Sequence, residues 1–275
     1  MTEIATDSEF AFLTGKIARE RGFGCGSYKE KCLRRRIAVR MRARGVHTYG
    51  DYARILDTDA REYELLLDAL TINVTKLFRN WEAFDAIARR VIPGLWEATE
   101  GRINIWSAGC SSGEEAYSLA ILLHRHASER GELPWLSRVT VLGTDIDNAS
   151  LAAAERGAYA EPAFADTPAE VREAYFSPDP PHVVHQAVRR MVRFERRDLL
   201  REPAPEMSAE GIHLIACRNV IIYFDRDTQE SLFERFHDAL APGGFLVLGK
   251  VETLLGPARS LFATVESRER IFRRQ

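Results

Sequence analysis

The chain has 275 residues, of which 45% are apolar and 28% are charged, and its formal net charge is −2. This composition fits an ordinary soluble globular protein with one large domain or two modest ones. A membrane span is excluded because no run of about 18 apolar residues occurs, and the acidic segment Met1 to Phe10 lacks the order of a signal peptide, so we expect a cytoplasmic protein.

The first part of the chain predicts helices only. Its apolar residues recur at three- and four-residue steps, which is the spacing of one helix face. These residues include Phe10, Leu13, Ile17, Leu33, Ile37 and Met41. Further helices are predicted from about Tyr49 to Leu56 and from about Arg61 to Leu70. We predict that residues 1–80 form a small helical domain.

A stripe of positive charge lies between Lys29 and Arg44. Eight basic residues fall in this segment, and only Glu30 opposes them. On a chain of nearly neutral net charge, such a stripe favours a specific acidic partner over general affinity for nucleic acid. RNA binding is further disfavoured because stacking aromatics beside the basic residues are not evident. The alternative interpretation is a solvated face that keeps the helical domain soluble.

Residues 81–100 predict a linker helix that begins near Trp81 and ends at Pro93-Gly94. From Gly101 onwards strands alternate with helices, which predicts a parallel, doubly wound α/β sheet. The predicted strands are Arg102–Trp106, Val139–Gly143, Val192–Glu195, Ile212–Cys217 and Gly244–Leu248, and the tail forms a terminal strand or hairpin at Phe262–Val265 and Ile271–Arg273.

Ligands of such sheets bind beyond the carboxyl ends of the strands, so the residues that follow each strand are candidate site residues. After the first strand, Gly109 and Gly113 flank a turn of small residues that leads to Glu114 and Glu115. A nicotinamide dehydrogenase is disfavoured, because the pattern is not Gly-x-Gly-x-x-Gly and two carboxylates would repel a pyrophosphate. The carboxylates suit a cationic ligand, although they would also favour the positive end of the next helix.

Polar residues follow the later strands as well. Asp145 can accept hydrogen bonds from a ribose, with Asp147 as the cap of the next helix. Asp198 can read an adenine amino group beside the Leu199 backbone, or it is an ordinary loop residue. The pair Arg218-Asn219 separates two apolar runs, and a structural loop would not need both polar residues, which favours a role in the site.

The four cysteines, Cys25, Cys32, Cys110 and Cys217, form no Cys-x-x-Cys pair. Neither a zinc ribbon nor a thioredoxin-like site is therefore predicted. We expect reduced thiols and no metal.

Four segments resemble motifs of the chemotaxis receptor (MCP) glutamate methyltransferases, the CheR family. They are Thr71–Arg79, Trp106–Ser118, Gly143–Asp147 and Cys217–Phe224, and the similarity covers nearly the whole chain. The resemblance implies a Rossmann-like methyltransferase domain, here residues 101–275, that depends on S-adenosylmethionine. It also implies an N-terminal all-helical domain and a small inserted antiparallel β subdomain, here at about residues 171–193.

The resemblance further implies the site residues. Contacts with S-adenosylmethionine would come from Asn73, Thr75, Arg79, Glu114, Asp145, Asp198, Leu199, Arg218 and Asn219. Arg79 and Tyr223 would be catalytic, Arg79 by orienting a carboxylate and Tyr223 by constraining the methyl group. A packed core aromatic is the alternative for Tyr223. Candidates for docking on acidic receptor helices are Arg36, Arg40 and Arg42.

The expected function is O-methylation of glutamate side chains on methyl-accepting chemotaxis-type receptors, which yields methyl esters and S-adenosylhomocysteine. A carboxylate is already ionised near pH 7, so neither a general base nor a metal is required. The partner would be the cytoplasmic helical bundle of a receptor, and we expect a monomer without direct membrane insertion. The alternatives are a methyltransferase for another acceptor and a non-catalytic signalling module that binds S-adenosylmethionine.

The sequence departs from the family pattern at a few positions. Asp198 stands where asparagine is frequent, and either side chain can accept from an adenine amino group. Lys250-Val251 stands where a small or polar pair precedes the glutamate, Glu252. The inserted segment is shorter than in members that tether to a receptor's C-terminal pentapeptide, so pentapeptide-independent binding is predicted.

Overall fold

A computed structural model describes residues 2–71, 75–100, 102–207 and 211–275, the side chains of residues 2–6 excepted. The described residues form two compact units. A helical unit takes the residues up to Thr71 together with Tyr223–Thr228, and a larger unit takes residues 75–222 and 229–275. Every helix among the described residues is too short or too polar to span a bilayer.

The helical unit is built from α1 (Thr2–Arg21), α2 (Glu30–Ala43), α3 (Tyr49–Thr58) and α4 (Ala60–Leu70). Side-chain caps fix two of the helix starts. Thr48 accepts the Asp51 N–H at 3.0 Å, and Asp59 accepts the Glu62 N–H at 2.9 Å. The apolar residues predicted to share a helix face are all buried, which confirms the helical periodicity.

Two helices open the larger unit, α5 (Trp81–Arg90) and α6 (Ile92–Ala98). The structure differs here from the single helix that the sequence predicts, because Pro93 lies in the first turn of α6 instead of ending a helix. Proline is tolerated at that position since first-turn N–H groups have no acceptor within the helix.

The remaining elements of the larger unit alternate as predicted. The strands are β1 (Asn104–Ala108), β2 (Thr140–Asp145), β3 (Ala158–Tyr159), β4 (His182–Val183), β5 (Val192–Arg196), β6 (Ile212–Cys217), β7 (Leu240–Leu248), β8 (Phe262–Glu266) and β9 (Ile271–Arg274). The helices are α7 (Glu114–Glu129), α8 (Asn148–Arg156), α9 (Ala169–Tyr175), α10 (Gln186–Arg189), α11 (Arg226–Ala239) and α12 (Ala258–Leu261).

The main sheet has seven strands in the order β5-β2-β1-β6-β7-β9-β8. The first five of these pair in parallel, and β9 and β8 pair antiparallel. The predicted doubly wound sheet is therefore confirmed, with the chain's tail as a hairpin. Strands β1 and β6 are buried along their whole length, and the crossover helices supply the apolar cover that parallel strands need.

A separate small sheet pairs β3 with β4 antiparallel, as the resemblance implied. Strand β4 lies inside the predicted segment 171–193, whereas β3 precedes it and Val192 already belongs to β5. The limits of the insertion and the domain limits 1–80 and 101–275 stay predictions.

Candidate functional site

The turn between β1 and α7 approaches the sheet closely because two of its residues are glycines with positive φ. Gly109 has φ +77° and Gly113 has φ +90°. A Cβ added at Gly113 would lie 2.8 Å from the Ala154 side chain and 2.9 Å from Phe194. Only glycine fits a left-handed conformation in such a tight space.

Glu114 follows this turn and is buried at the start of α7. The Ser112 hydroxyl donates to its carboxylate at 2.9 Å, and the Thr75 side chain also hydrogen-bonds to it. Burial raises the pKa of the Glu114 carboxyl. The structure thus brings two predicted site residues, Thr75 and Glu114, into contact.

Asp145 ends β2 and is also buried. Its carboxylate accepts the Ser111 N–H at 2.8 Å and the Asp147 N–H at 3.0 Å, while burial raises its pKa. Asp147 accepts the Ala149 N–H at 2.9 Å and caps α8, which confirms its predicted role. Asp145 is therefore tied to the same turn that carries Glu114.

Asp198 lies in the loop after β5, and a hydrogen bond between backbone groups joins this loop to β2. The Arg197 N–H donates to the Asp145 carbonyl at 2.9 Å. The Asp198 carboxylate is buried and accepts the Leu200 N–H at 2.9 Å. The Arg235 guanidinium holds the loop from α11 by donating to the Leu199 carbonyl at 2.9 Å.

Arg218 follows β6 and is buried. Its Nη2 donates to the Arg79 carbonyl at 2.8 Å, its Nη1 lies 3.6 Å from Glu115 Oε2, and its guanidinium lies over the Phe84 ring at 4.9 Å. Burial lowers the pKa of Arg218 and raises that of Glu115. Arg218 therefore fixes the backbone of Arg79 at the end of β6.

Asn219 adopts a left-handed conformation with φ +63°, and the buried Glu252 holds it there. The Glu252 carboxylate accepts the N–H groups of Asn219 at 2.9 Å, Gly249 at 2.6 Å and Ile222 at 3.3 Å. Burial raises the pKa of Glu252. The sequence marked Glu252 only as part of the family pattern and assigned it no role, because a glutamate in an irregular loop carries no periodic signal.

Replacing Glu252 with alanine should destabilise the protein strongly. Three backbone N–H groups would lose their acceptor, and each buried unsatisfied donor costs about 1–3 kcal/mol. We expect the melting temperature to fall by roughly 10 °C, as measured by calorimetry. Val251→Ala is the matched control, since Val251 is 74% exposed, and an equal fall in both variants would contradict the assignment.

The predicted docking arginines differ in their environments. Arg36 is buried, and its Nη1 donates to the Leu70 carbonyl. Arg40 donates to both carboxylate oxygens of the buried Glu62, at 3.0 and 2.6 Å, while Arg42 is exposed. Arg36 is thus buried in the helical unit and Arg40 is half-buried on Glu62. The docking role of the three arginines stays a prediction, and the exposed Arg42 fits it best.

Two predicted residues are not among those described in the larger unit. Tyr223 belongs to the helical unit, where its carbonyl accepts the Lys29 N–H at 2.8 Å. Asn73 lies outside the described residues. The larger unit has Glu114, Asp145, Asp198, Leu199, Arg218 and Asn219 at or after the carboxyl ends of its strands. It also joins Thr75 to Glu114 and the Arg79 carbonyl to Arg218.

Polar groups of this site fit a ligand with amino, hydroxyl and carboxylate groups. Among the described residues, buried atoms without a hydrogen-bond partner include Ser111 Oγ, Arg218 Nε and Asn219 Oδ1. All three lie in the turns after β1 and β6, and buried polar atoms normally have partners. The acids Glu114 and Asp145 complement an ammonium group and ribose hydroxyls, and no cluster of metal-binding side chains occurs in the described parts of the chain.

The doubly wound sheet carries buried carboxylates at its strand ends and lacks the glycine fingerprint of pyrophosphate binding. This arrangement fits the class of S-adenosylmethionine-dependent methyltransferases. Residues 73–271 match the family model described as the SAM-binding domain of CheR methyltransferase. Residues 8–71 match the model of the all-alpha domain of the same family. The chain belongs to the CheR methyltransferase family.

Three relatives match this chain over nearly their whole length. A chemotaxis protein methyltransferase of Listeria innocua is 32% identical over 95% of this chain and 96% of its own. That of Klebsiella aerogenes is 32% identical over 94% of this chain and 87% of its own. Chemotaxis protein methyltransferase 1 of Pseudomonas aeruginosa is 32% identical, with coverages of 91% and 92%.

Proposed function

We propose that this protein is a protein-glutamate O-methyltransferase that acts on the cytoplasmic helical bundle of methyl-accepting chemotaxis-type receptors. Family membership and the names of the relatives, chemotaxis protein methyltransferases, support this proposal. The observation that carries it is the pair of buried carboxylates, Glu114 and Asp145, joined through the Ser111-Ser112 turn. Such a pair suits a cationic cofactor.

When bound, S-adenosylmethionine supplies an electrophilic methyl group on a positively charged sulfur. Glu114 is proposed to bind the cofactor's amino group and Asp145 its ribose hydroxyls. Asp198 and the Leu199 backbone are proposed to bind the adenine. The full set proposed to hold the cofactor is Asn73, Thr75, Arg79, Glu114, Asp145, Asp198, Leu199, Arg218 and Asn219.

Transfer of the methyl group to the acceptor glutamate requires alignment of the two reactants more than proton transfer. A glutamate carboxylate is ionised near pH 7 and needs no general base, and holding two reactants in line supplies up to about 7–11 kcal/mol. Arg79 is proposed to orient a carboxylate, since a guanidinium binds such groups at two points. Its backbone is already fixed by Arg218 at 2.8 Å. Tyr223 is proposed to constrain the methyl group.

The outer face of α2 supports receptor docking. Lys31, Arg35 and Arg42 are exposed there, three or four residues apart along the helix with Val39, which is 50% exposed. We call these four residues the α2 stripe. A basic surface with an apolar centre complements the acidic helices of a receptor bundle.

Charge reversal in the α2 stripe should weaken receptor binding without changing the chemistry. For Arg35→Glu with Arg42→Glu we expect the receptor KM to rise about tenfold or more at low salt, a change of about 1.4 kcal/mol, with kcat unchanged. The difference should shrink as salt screens the charges. Arg54→Glu on α3, whose side chain is 80% exposed, is the matched control, and equal effects of the two variants would contradict docking through α2.

Receptor binding is proposed to be independent of a C-terminal pentapeptide. Each strand of the small sheet has only two residues, so its edge offers few backbone groups to an added strand. We expect a synthetic receptor pentapeptide to bind more weakly than about 1 mM in calorimetry. Micromolar affinity would overturn this proposal.

Base lability of the product tests the proposed reaction. Incubation with methyl-labelled S-adenosylmethionine and a receptor cytoplasmic fragment should label the fragment, and mild alkali should release the label as methanol because the product is an ester. Label that resists alkali would point to another acceptor, and the absence of labelling would point to a non-catalytic module.

A further inference from the structure

Tyr159 is a buried tyrosine of the small sheet that contacts the turn between β1 and α7. It is only 5% exposed, and its hydroxyl donates to the Ser112 carbonyl at 2.8 Å. A buried tyrosine hydroxyl usually finds a partner somewhere. Here the partner lies in the turn that leads to Glu114, so the bond links the small sheet to the proposed cofactor site.

This turn depends on contacts from outside itself because its backbone is partly left-handed. Positive φ angles of +77°, +49° and +90° occur at Gly109, Ser111 and Gly113. A left-handed residue other than glycine persists only where the surroundings hold it. Strand β2 holds the first part of the turn, since Asp145 accepts the Ser111 N–H at 2.8 Å. Tyr159 holds the next residue, Ser112, through its carbonyl.

Ser112 in turn contacts Glu114. The Ser112 hydroxyl lies 2.9 Å from both carboxylate oxygens of Glu114 and donates to them. Burial and the charge of Glu114 raise the pKa of Tyr159, so the Tyr159 hydroxyl remains a donor near neutral pH. A chain of hydrogen bonds therefore runs from Tyr159 through Ser112 to the Glu114 carboxylate.

Tyr159 is itself fixed by its neighbours in the larger unit. It pairs with His182 in the small sheet. Its ring makes edge-on contacts with Tyr117 at 6.2 Å and with Phe176 at 6.5 Å. The hydroxyl thus has a defined position before any ligand binds, which is the condition for orienting another group precisely.

We propose that Tyr159 is a positioning residue for Glu114: through Ser112 its hydroxyl sets the orientation of the carboxylate that receives the cofactor's amino group. This inference rests on the proposed function and deepens it, since it adds a residue to the proposed role of Glu114. Tyr159 should affect binding of the amino-acid part of the cofactor and leave binding of the adenosine part unchanged. The small sheet thereby gains a part in cofactor binding.

Titration calorimetry with two nucleosides tests the assignment, because S-adenosylhomocysteine carries the amino-acid part and 5′-methylthioadenosine lacks it. For Tyr159→Phe we expect affinity for S-adenosylhomocysteine to fall about tenfold, and affinity for 5′-methylthioadenosine to stay within about twofold. Weakening of both nucleosides to the same extent would show a purely structural residue and overturn the proposal. Unchanged affinity for S-adenosylhomocysteine would overturn it as well.

Tyr117→Phe is the matched control. The Tyr117 ring neighbours that of Tyr159, and its hydroxyl also donates to a backbone carbonyl, that of Ala154 at 2.9 Å. Both phenylalanine variants lose one buried hydrogen bond and should lose similar stability. Only Tyr159→Phe should discriminate between the nucleosides, and the same discrimination by Tyr117→Phe would overturn the proposal.

A double-mutant cycle supplies a second readout that a merely structural role would not change. Ser112→Ala removes the hydroxyl that donates to Glu114. If Tyr159 acts through Ser112, Tyr159→Phe should weaken S-adenosylhomocysteine binding much less in the Ser112→Ala background than in the wild type. Fully additive effects of the two substitutions would contradict this.

Two further results have defined meanings. If Tyr159→Phe does not fold, hydrogen exchange of the wild type decides, because saturating S-adenosylhomocysteine should slow exchange in β3 more than 5′-methylthioadenosine does; equal slowing would overturn the proposal. If the wild type binds neither nucleoside, the proposed function fails. Normal binding by the wild type without discrimination by Tyr159→Phe overturns only the role of Tyr159.

Discussion

Asp145→Ala is expected to weaken the binding of S-adenosylhomocysteine by about 100-fold. Hydrogen bonds to a charged group contribute about 1.5–3 kcal/mol, and the substitution also frees the Ser111 and Asp147 N–H groups that Asp145 accepts at 2.8 and 3.0 Å. The turn that carries Glu114 therefore loosens together with the loss of the proposed ribose contact. Titration calorimetry measures the effect directly.

Asp147→Ala is the matched control, two residues along the chain. It removes the α8 cap and should cost about 1 kcal/mol of stability with little change in affinity. Affinity in the wild type should also fall as the pH is lowered, because burial raises the pKa of Glu114 and Asp145 and a protonated carboxyl no longer attracts an ammonium group. Equal affinities for the two alanine variants, or affinity independent of pH down to pH 4, would contradict the acidic pocket.

Arg79→Ala is expected to lower kcat by about 100-fold or more, since loss of orientation alone has an effect of that size. The backbone at this position is held by Arg218 through the Arg79 carbonyl at 2.8 Å, which the substitution retains. The fold should consequently persist while the orienting guanidinium is lost. Arg79→Lys should recover a small part of the rate, because an ammonium lacks the two-point geometry.

Lys76→Ala is the control for Arg79, because Lys76 lies in the same segment and its ammonium is 3.5 Å from Asp166. Steady-state kinetics with a receptor fragment should show near-normal turnover for this variant. Near-normal turnover in Arg79→Ala would reject the catalytic assignment.

The helical periodicity of the sequence predicted the helices of the helical unit. It also indicated which side chains of α2 face the core. The buried residues Leu33, Ile37 and Met41 lie on one face of α2, and Arg36 is buried with them. Arg40 lies beside that face and is half-buried. Spacing therefore turns these two side chains towards the core, whereas the resemblance and the positive charge implied docking. Their buried partners, Glu62 and the Leu70 carbonyl, are distant in sequence, and no local pattern could have revealed them.

The strand-end residues were predictable because parallel strands place their carboxyl ends along one edge of the sheet. The contact of Thr75 with Glu114 and that of Arg218 with the Arg79 carbonyl join segments far apart in the chain, and only the fold shows them. Glu252 was named from the sequence only as part of the family pattern, because its role depends on three backbone N–H groups that the sequence does not place. The two-residue strands β3 and β4 were likewise too short to show alternation.

Peptide mass spectrometry of a receptor cytoplasmic fragment, incubated with this protein and S-adenosylmethionine, tests the central claim most directly. The account predicts a single methyl increment on glutamate side chains, lost on mild alkaline treatment and absent where those glutamates are replaced by glutamine. Methyl groups found on lysine or on another acceptor, or a fragment left unmodified while S-adenosylhomocysteine binds normally, would contradict it.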